Sequence, residues 1–181
     1  MAITRLGGAN AITGTLPAAN INDTSIGNIT ALPAGVGGKV LQVVTGTYTA
    51  FTNTTSTSFV ATPLSVSITP SSSSNKVFVT TTFGAGAESP YSSGGPFWSI
   101  FRGSTNLGNS STGFQSLYAN VAGNTGGAGS MQILDNPSTT SATTYAVYFR
   151  TQSASYETRI GGQYAGNGDG MCTITAMEIS A

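Results

Sequence analysis

Histidine is absent from the 181-residue chain, and cysteine occurs once, as Cys172. The first absence removes the commonest general base, the commonest zinc ligand and every Ser-His or Cys-His nucleophile pair. The second excludes an intrachain disulfide framework and a thiolate metal cluster. Charge is scarce as well: 7% of residues are Asp, Glu, Lys or Arg, against about 25% in an average globular protein. Six acids balance six bases, and Arg5, Lys39, Lys76, Arg102, Arg150 and Arg159 stand singly. A nucleic-acid-binding protein clusters its cations to displace phosphate counterions, so nucleic acid is not expected as a partner. The uncharged stretch from Val40 to Asn75 is interrupted throughout by Ser, Thr, Asn and Pro, and no membrane insertion is expected from it. The opening residues Met1–Gly8 have no apolar core of the kind that marks a secretory signal.

What the chain does contain is hydrophobic residues, 39% of the total, set in short alternating runs among Ser, Thr and Gly. High apolar content with little charge is the reverse of the disorder signature. Leu64, Val66 and Ile68 alternate with Ser65 and Ser67, and Val77, Val79, Thr81 and Phe83 repeat the pattern. Such period-two runs read as half-buried strands. Further strands are expected over residues 39–49, 58–61, 97–102, 113–121, 130–134, 143–151, 158–161 and 172–179, each bounded by Gly, Asn, Pro or Ser. Regular short strands with polar turns define an all-β sandwich or barrel, and the spacing fits a jelly roll. Cys172, inside the last strand, is expected as a buried small hydrophobe, and Trp98 as core or subunit interface.

Residues 1–38 have a different texture. Ile12–Ala18 is echoed by Ile29–Ala34, with Leu-Pro-Ala triplets sixteen residues apart. Neither copy can bury its few apolar residues alone, so an extended segment that intertwines with other copies or docks on a partner is expected. Gly35–Gly38 makes a hinge, and a sandwich domain spans 39–181.

Catalysis would have to come from paired carboxylates, as in glycosidases. Asp23 lies in the arm, Asp135 is expected to open a turn, and Glu178 to pair with an arginine in the terminal strand. That leaves Glu88, Glu157 and Asp169 as loop acids. The glycine-rich runs at 84–89 and 166–170 carry no lysine and open no helix, so no phosphate loop or cofactor is expected. Recognition instead favours side chains with a flat apolar face and a polar edge. Tyr91, Tyr156 and Tyr164, with Asn167 and Asp169, are the candidates for a contact surface. A nearly neutral surface favours association over colloidal repulsion, so much of it is expected to be covered in an assembly.

Several segments carry a resemblance: Leu16–Ile21, Ile26–Thr30, Gly38–Val44, Ser67–Val77, Trp98–Thr105, Thr144–Arg150 and Thr173–Ile179. Taken in order, they are similar to tail-fibre and other virion proteins of aquatic bacteriophages. The resemblance implies a non-enzymatic homotrimeric fibre head with a jelly roll of the tumour-necrosis-factor type, assembled into the virion in the host bacterial cytoplasm. The arm, through Leu16, Pro17, Ile21, Ile29, Leu32 and Pro33, would attach it to other virion proteins of the tail or capsid. The head would contact a host-surface glycan or protein. Because the arm is short for a long fibre, a decoration or head-fibre protein that binds and stabilises the capsid is the alternative.

Overall fold

A computed structural model of the protein describes residues 40–88, 95–117, 124–162 and 170–181. All of them fall within one compact unit, Lys39–Ala181; the arm expected over 1–38 lies outside the described residues. The described residues form no helix and eleven strands: β1 (Val40–Tyr48), β2 (Thr52–Thr54), β3 (Val60–Ile68), β4 (Lys76–Glu88), β5 (Phe97–Arg102), β6 (Thr105–Asn106), β7 (Gln115–Ser116), β8 (Asn124–Asp135), β9 (Thr143–Arg150), β10 (Glu157–Ile160) and β11 (Cys172–Ile179).

The pairing is nested. β1 pairs with β11, β2 with β10, β3 with β9, β4 with β8 and β5 with β7, all antiparallel. The chain is thus one long hairpin with β6 near its tip. It is rolled so that β4 also meets β10 and β11, and β5 also meets β9. Rolling distributes the strands into two sheets. Sheet A runs β1, β11, β4, β8, with β2 and β10 continuing its first two columns; sheet B runs β3, β9, β5, with β6 and β7 on the far edge of β5. This wrapping is a jelly roll. The protein is an all-β sandwich of two antiparallel sheets.

Alternation supplies the core. Leu64, Val66 and Ile68 of β3, Tyr145, Val147 and Phe149 of β9, and Trp98 and Ile100 of β5 point inward from sheet B. They meet Val77, Val79 and Phe83 of β4, Met131 of β8, and Ile174 and Ala176 of β11. Each such side chain contributes about 1.5–3 kcal/mol when fully buried. Where β1 crosses β3, the sheets come close: a Cβ on Gly46 would lie 1.9 Å from the Ser65 carbonyl oxygen. Only glycine permits that approach.

Two expected segments, 58–61 and 64–68, form the single strand β3. Its register shifts between Ala61 and Ser65, around Pro63. Proline cannot donate to a ladder and sits on edge strands or at bulges; here the Thr62 hydroxyl restores order, donating to Val147 O at 2.8 Å and accepting from Leu64 N at 3.2 Å. β4 and β8 run further than the alternation predicts, through Gly84–Glu88 and Asn124–Gly129. Residues 113–121 contribute only Gln115–Ser116 as strand, and 118–121 lie outside the described residues.

Candidate functional site

The acids come first, because any chemistry would have to rest on them. Glu178, at the end of β11, is 1% exposed. Its carboxylate accepts hydrogen bonds from Asn75 Nδ2 and Gln42 Nε2, both at 2.6 Å, and from Ser71 N and Ser71 Oγ, both at 2.7 Å. Burial alone would raise its pKa, and the bonds from Asn75, Gln42 and Ser71 more than reverse that, holding it down at about 2. The arginine partner expected for Glu178 is replaced by four neutral donors. They tie β1 and the β3–β4 turn to β11.

Asp135 closes β8 rather than opening a turn. It accepts from Arg102 Nη1 at 2.8 and 2.9 Å and from the Tyr145 hydroxyl at 2.7 Å. Burial, then the bond to Asp135 and its charge, push the Tyr145 hydroxyl well above its ordinary range, with Arg102 a partial offset. This triad joins sheet A, through β8, to β5 and β9 of sheet B. Glu157 and Glu88 are Cα register partners across β10 and β4. Glu157 accepts from Asn53 Nδ2 and pairs with Arg159 Nε at 2.9 Å. Among the described residues no group of three or more acids or cysteines is placed to hold a metal.

Of the residues expected to contact a host, Tyr91, Tyr164, Asn167 and Asp169 lie outside the described residues, as do the arm residues Leu16, Pro17, Ile21, Ile29, Leu32 and Pro33. Tyr156 is half-buried in the turn before β10, where its backbone N–H donates to Ser153 O at 3.0 Å. Trp98 belongs to the core, 0% exposed, with Nε1 donating to Arg159 O at 3.2 Å. Cys172 is buried, which raises its thiol pKa despite backbone hydrogen bonds involving Gly84 and Gly161.

The surfaces that remain are the outer faces of the two sheets. On sheet B the outward side chains of β5 are themselves buried: Phe97 and Phe101 are 8% exposed and Ser99 0%. Phe101 stacks on Tyr148 with ring centroids 3.9 Å apart and meets Phe59 at 5.6 Å. The Arg150 guanidinium lies 4.3 Å from the Phe97 ring centre and donates to the Ser111 and Thr57 carbonyls. Burial lowers its pKa. Ser99 Oγ donates to Asn106 Oδ1 at 2.6 Å. Segments 57–59 and 106–114 therefore fold over the β5 side of sheet B, while the outward Ser65, Ser67 and Thr144 of β3 and β9 stay exposed.

Sheet A has no such cover among the described residues. The register aligns Val43, Met177, Phe78 and Leu134 in one row straight across β1, β11, β4 and β8. The next rows are Thr45, Thr175, Thr80, Gln132 and Thr47, Thr173, Thr82, Ser130. Val43 is 54% and Leu134 51% exposed. Of the six exposed large hydrophobic residues among those described, Val40, Leu41, Val43, Leu134 and Met171 belong to this side, and Phe114 does not. A shallow groove of about 440 Å³ continues the plane past Thr82, floored by Gly84 and Gly127–Gly129 and walled by Met171. Sequence reading missed the row, although a signal was there. Val43-Val44, Val77-Phe78-Val79, Ile133-Leu134 and Ala176-Met177 are apolar in both strand phases, and a strand buried on one face needs only one.

No protein-family model matches this chain, and neither does any curated protein.

Proposed function

We propose that this protein is a non-enzymatic structural component of a bacteriophage virion, a homotrimeric tail fibre or fibre tip. In this reading residues 1–38 attach it to the particle and the sandwich meets a host-surface glycan or protein. The observation that carries the reading is the use of the reactive side chains. Asp135, Glu157 and Glu178 each hold strands together, and Arg102, Arg150 and Arg159 each brace a carboxylate, a carbonyl or an aromatic ring. Side chains fixed in this way stiffen a scaffold. The jelly roll adds a closed core with few free edges, and the resemblance of several segments, in order, to phage fibre proteins supports the virion setting. Three copies on one fibre would act together through effective concentration, so weak contacts with a surface add up.

The test is to add purified protein to host cells and count phage adsorption. Binding to cells with dose-dependent block of adsorption is expected. Absence of both, with labelled protein found across the capsid shell, would replace the fibre reading with capsid decoration.

A further inference from the structure

We infer that the outer face of sheet A, centred on the Val43–Met177–Phe78–Leu134 row, is where copies of this chain meet one another. The inference rests on the assembly reading above and names its contact surface.

Three features of the face point to a second copy. The first is charge. Across the three aligned rows from Val43 to Ser130 there is no ionisable side chain, and Lys76 stands at the rim beside Ile179. Around a threefold axis, three neutral copies of this plane can converge without like-charge repulsion. The second is the state of its polar atoms. Thr45 Oγ1 lies 3.0 Å from Thr175 Oγ1, and Thr82 Oγ1 lies 3.0 Å from Thr173 Oγ1. Hydroxyls already bonded across strands lose little when water leaves, whereas burying an unbonded hydroxyl would be costly. The third is size. Four strand columns about 4.8 Å apart and three outward rows about 6.8 Å apart span roughly 400 Å² in projection. The groove beyond Thr82 at one end and the exposed Val40 and Leu41 at the other extend the plane toward the ~600 Å² per partner at which stable association begins.

Self-association of this kind is closed and symmetric. An apolar row flanked by satisfied threonines gives each copy a contact that excludes water at the centre and tolerates it at the edge, as at protein interfaces generally. The contrast with sheet B supports the assignment. There the chain covers the outward aromatics of β5 with its own segments and leaves only small polar residues such as Ser65, Ser67 and Thr144 exposed, and on sheet A the apolar row is left to a neighbour.

The experiment is a solution mass measurement on the full chain, wild type and variants, with folding checked by circular dichroism and thermal melting. Wild type is expected at the mass of three 18.2 kDa copies. Val43→Lys with Leu134→Lys should give folded single copies, and the milder Leu134→Ser should weaken association at least tenfold. Thr144→Lys, on the outer face of sheet B, should leave the mass unchanged. A wild-type chain that runs as a single copy overturns the inference together with the trimeric part of the proposed function. A trimer that survives both Leu134 variants overturns the inference alone. A trimer that dissociates as expected but neither binds cells nor joins particles supports the inference and removes the virion role.

Discussion

The two outer faces of the sandwich solve the same problem in opposite ways. Each sheet places large apolar side chains on its solvent side, where alternation would put polar ones. On sheet B, Phe97, Phe101 and Tyr148 are roofed by segments 57–59 and 106–114, with Arg150 fastening the roof through the Ser111 and Thr57 carbonyls. On sheet A, Val43 and Leu134 lie exposed with the half-buried Met177 and Phe78 between them. The difference teaches that outward apolar residues on a strand have two meanings. One is a second, intramolecular core; the other is a surface awaiting a partner, and only the placement of the connecting loops distinguishes them.

The comparison can be broken by substitution. Phe101→Ala should produce the largest loss, about 3–4 kcal/mol, because a buried aromatic leaves a cavity. In urea denaturation that loss should not depend on protein concentration. Phe78→Ala should behave otherwise: its cost should be small in dilute protein and grow with concentration, because bound copies stabilise the folded state by mass action. Equal, concentration-independent losses would erase the distinction between the faces. Gly46→Ala should destabilise by about 2–3 kcal/mol through overpacking, since its Cβ would meet the Ser65 carbonyl, and the melting temperature should fall accordingly.

A smaller effect sharpens the role of the polar braces. Glu178 has a folded pKa of about 2, below the ordinary glutamate value of about 4.3. A depressed folded pKa contributes stability that is fully present above the unfolded value and is lost as pH falls toward the folded one. Wild-type stability should therefore decline between about pH 4.5 and pH 2, and Glu178→Gln, less stable at pH 7, should show a flatter profile there. A Gln variant with the same slope would assign the acid sensitivity to other groups. The smallest effect expected is that of salt. A contact plane without charge should hold its association constant within about twofold between 0.05 and 0.5 M salt, whereas charged contacts are screened over that range.

Much of the sandwich was legible in the residues. Period-two alternation located β3, β4, β9 and β11 because a single buried face writes itself directly into sequence. It failed where side chains are missing. Gly84–Ala87 and Gly126–Gly129 read as punctuation, yet they continue the β4–β8 ladder because the backbone bonds need no side chain. Glu178 was expected to seek an arginine, and instead collected donors from residues 42, 71 and 75, a convergence that only the fold creates. The apolar row was hidden for a related reason: its four members come from four strands scattered between residues 43 and 177. Tyr156 was read as a contact residue from its place near a turn, and the turn proved to be half-packed.

The nested pairing also constrains the order in which the molecule can be made. Val40 pairs with Ile179, and Gln42 is bonded to Glu178 across 136 residues. While the chain is being synthesised, β1 has no ladder partner until β11, the last strand of the domain, has left the ribosome. Pairing over such separations is slow, because loop-closure entropy must be overcome before any contact rewards it. During that interval β1, an uncharged strand of nine residues, is an open template for wrong partners, and the speed with which β11 arrives decides how much protein reaches the native state.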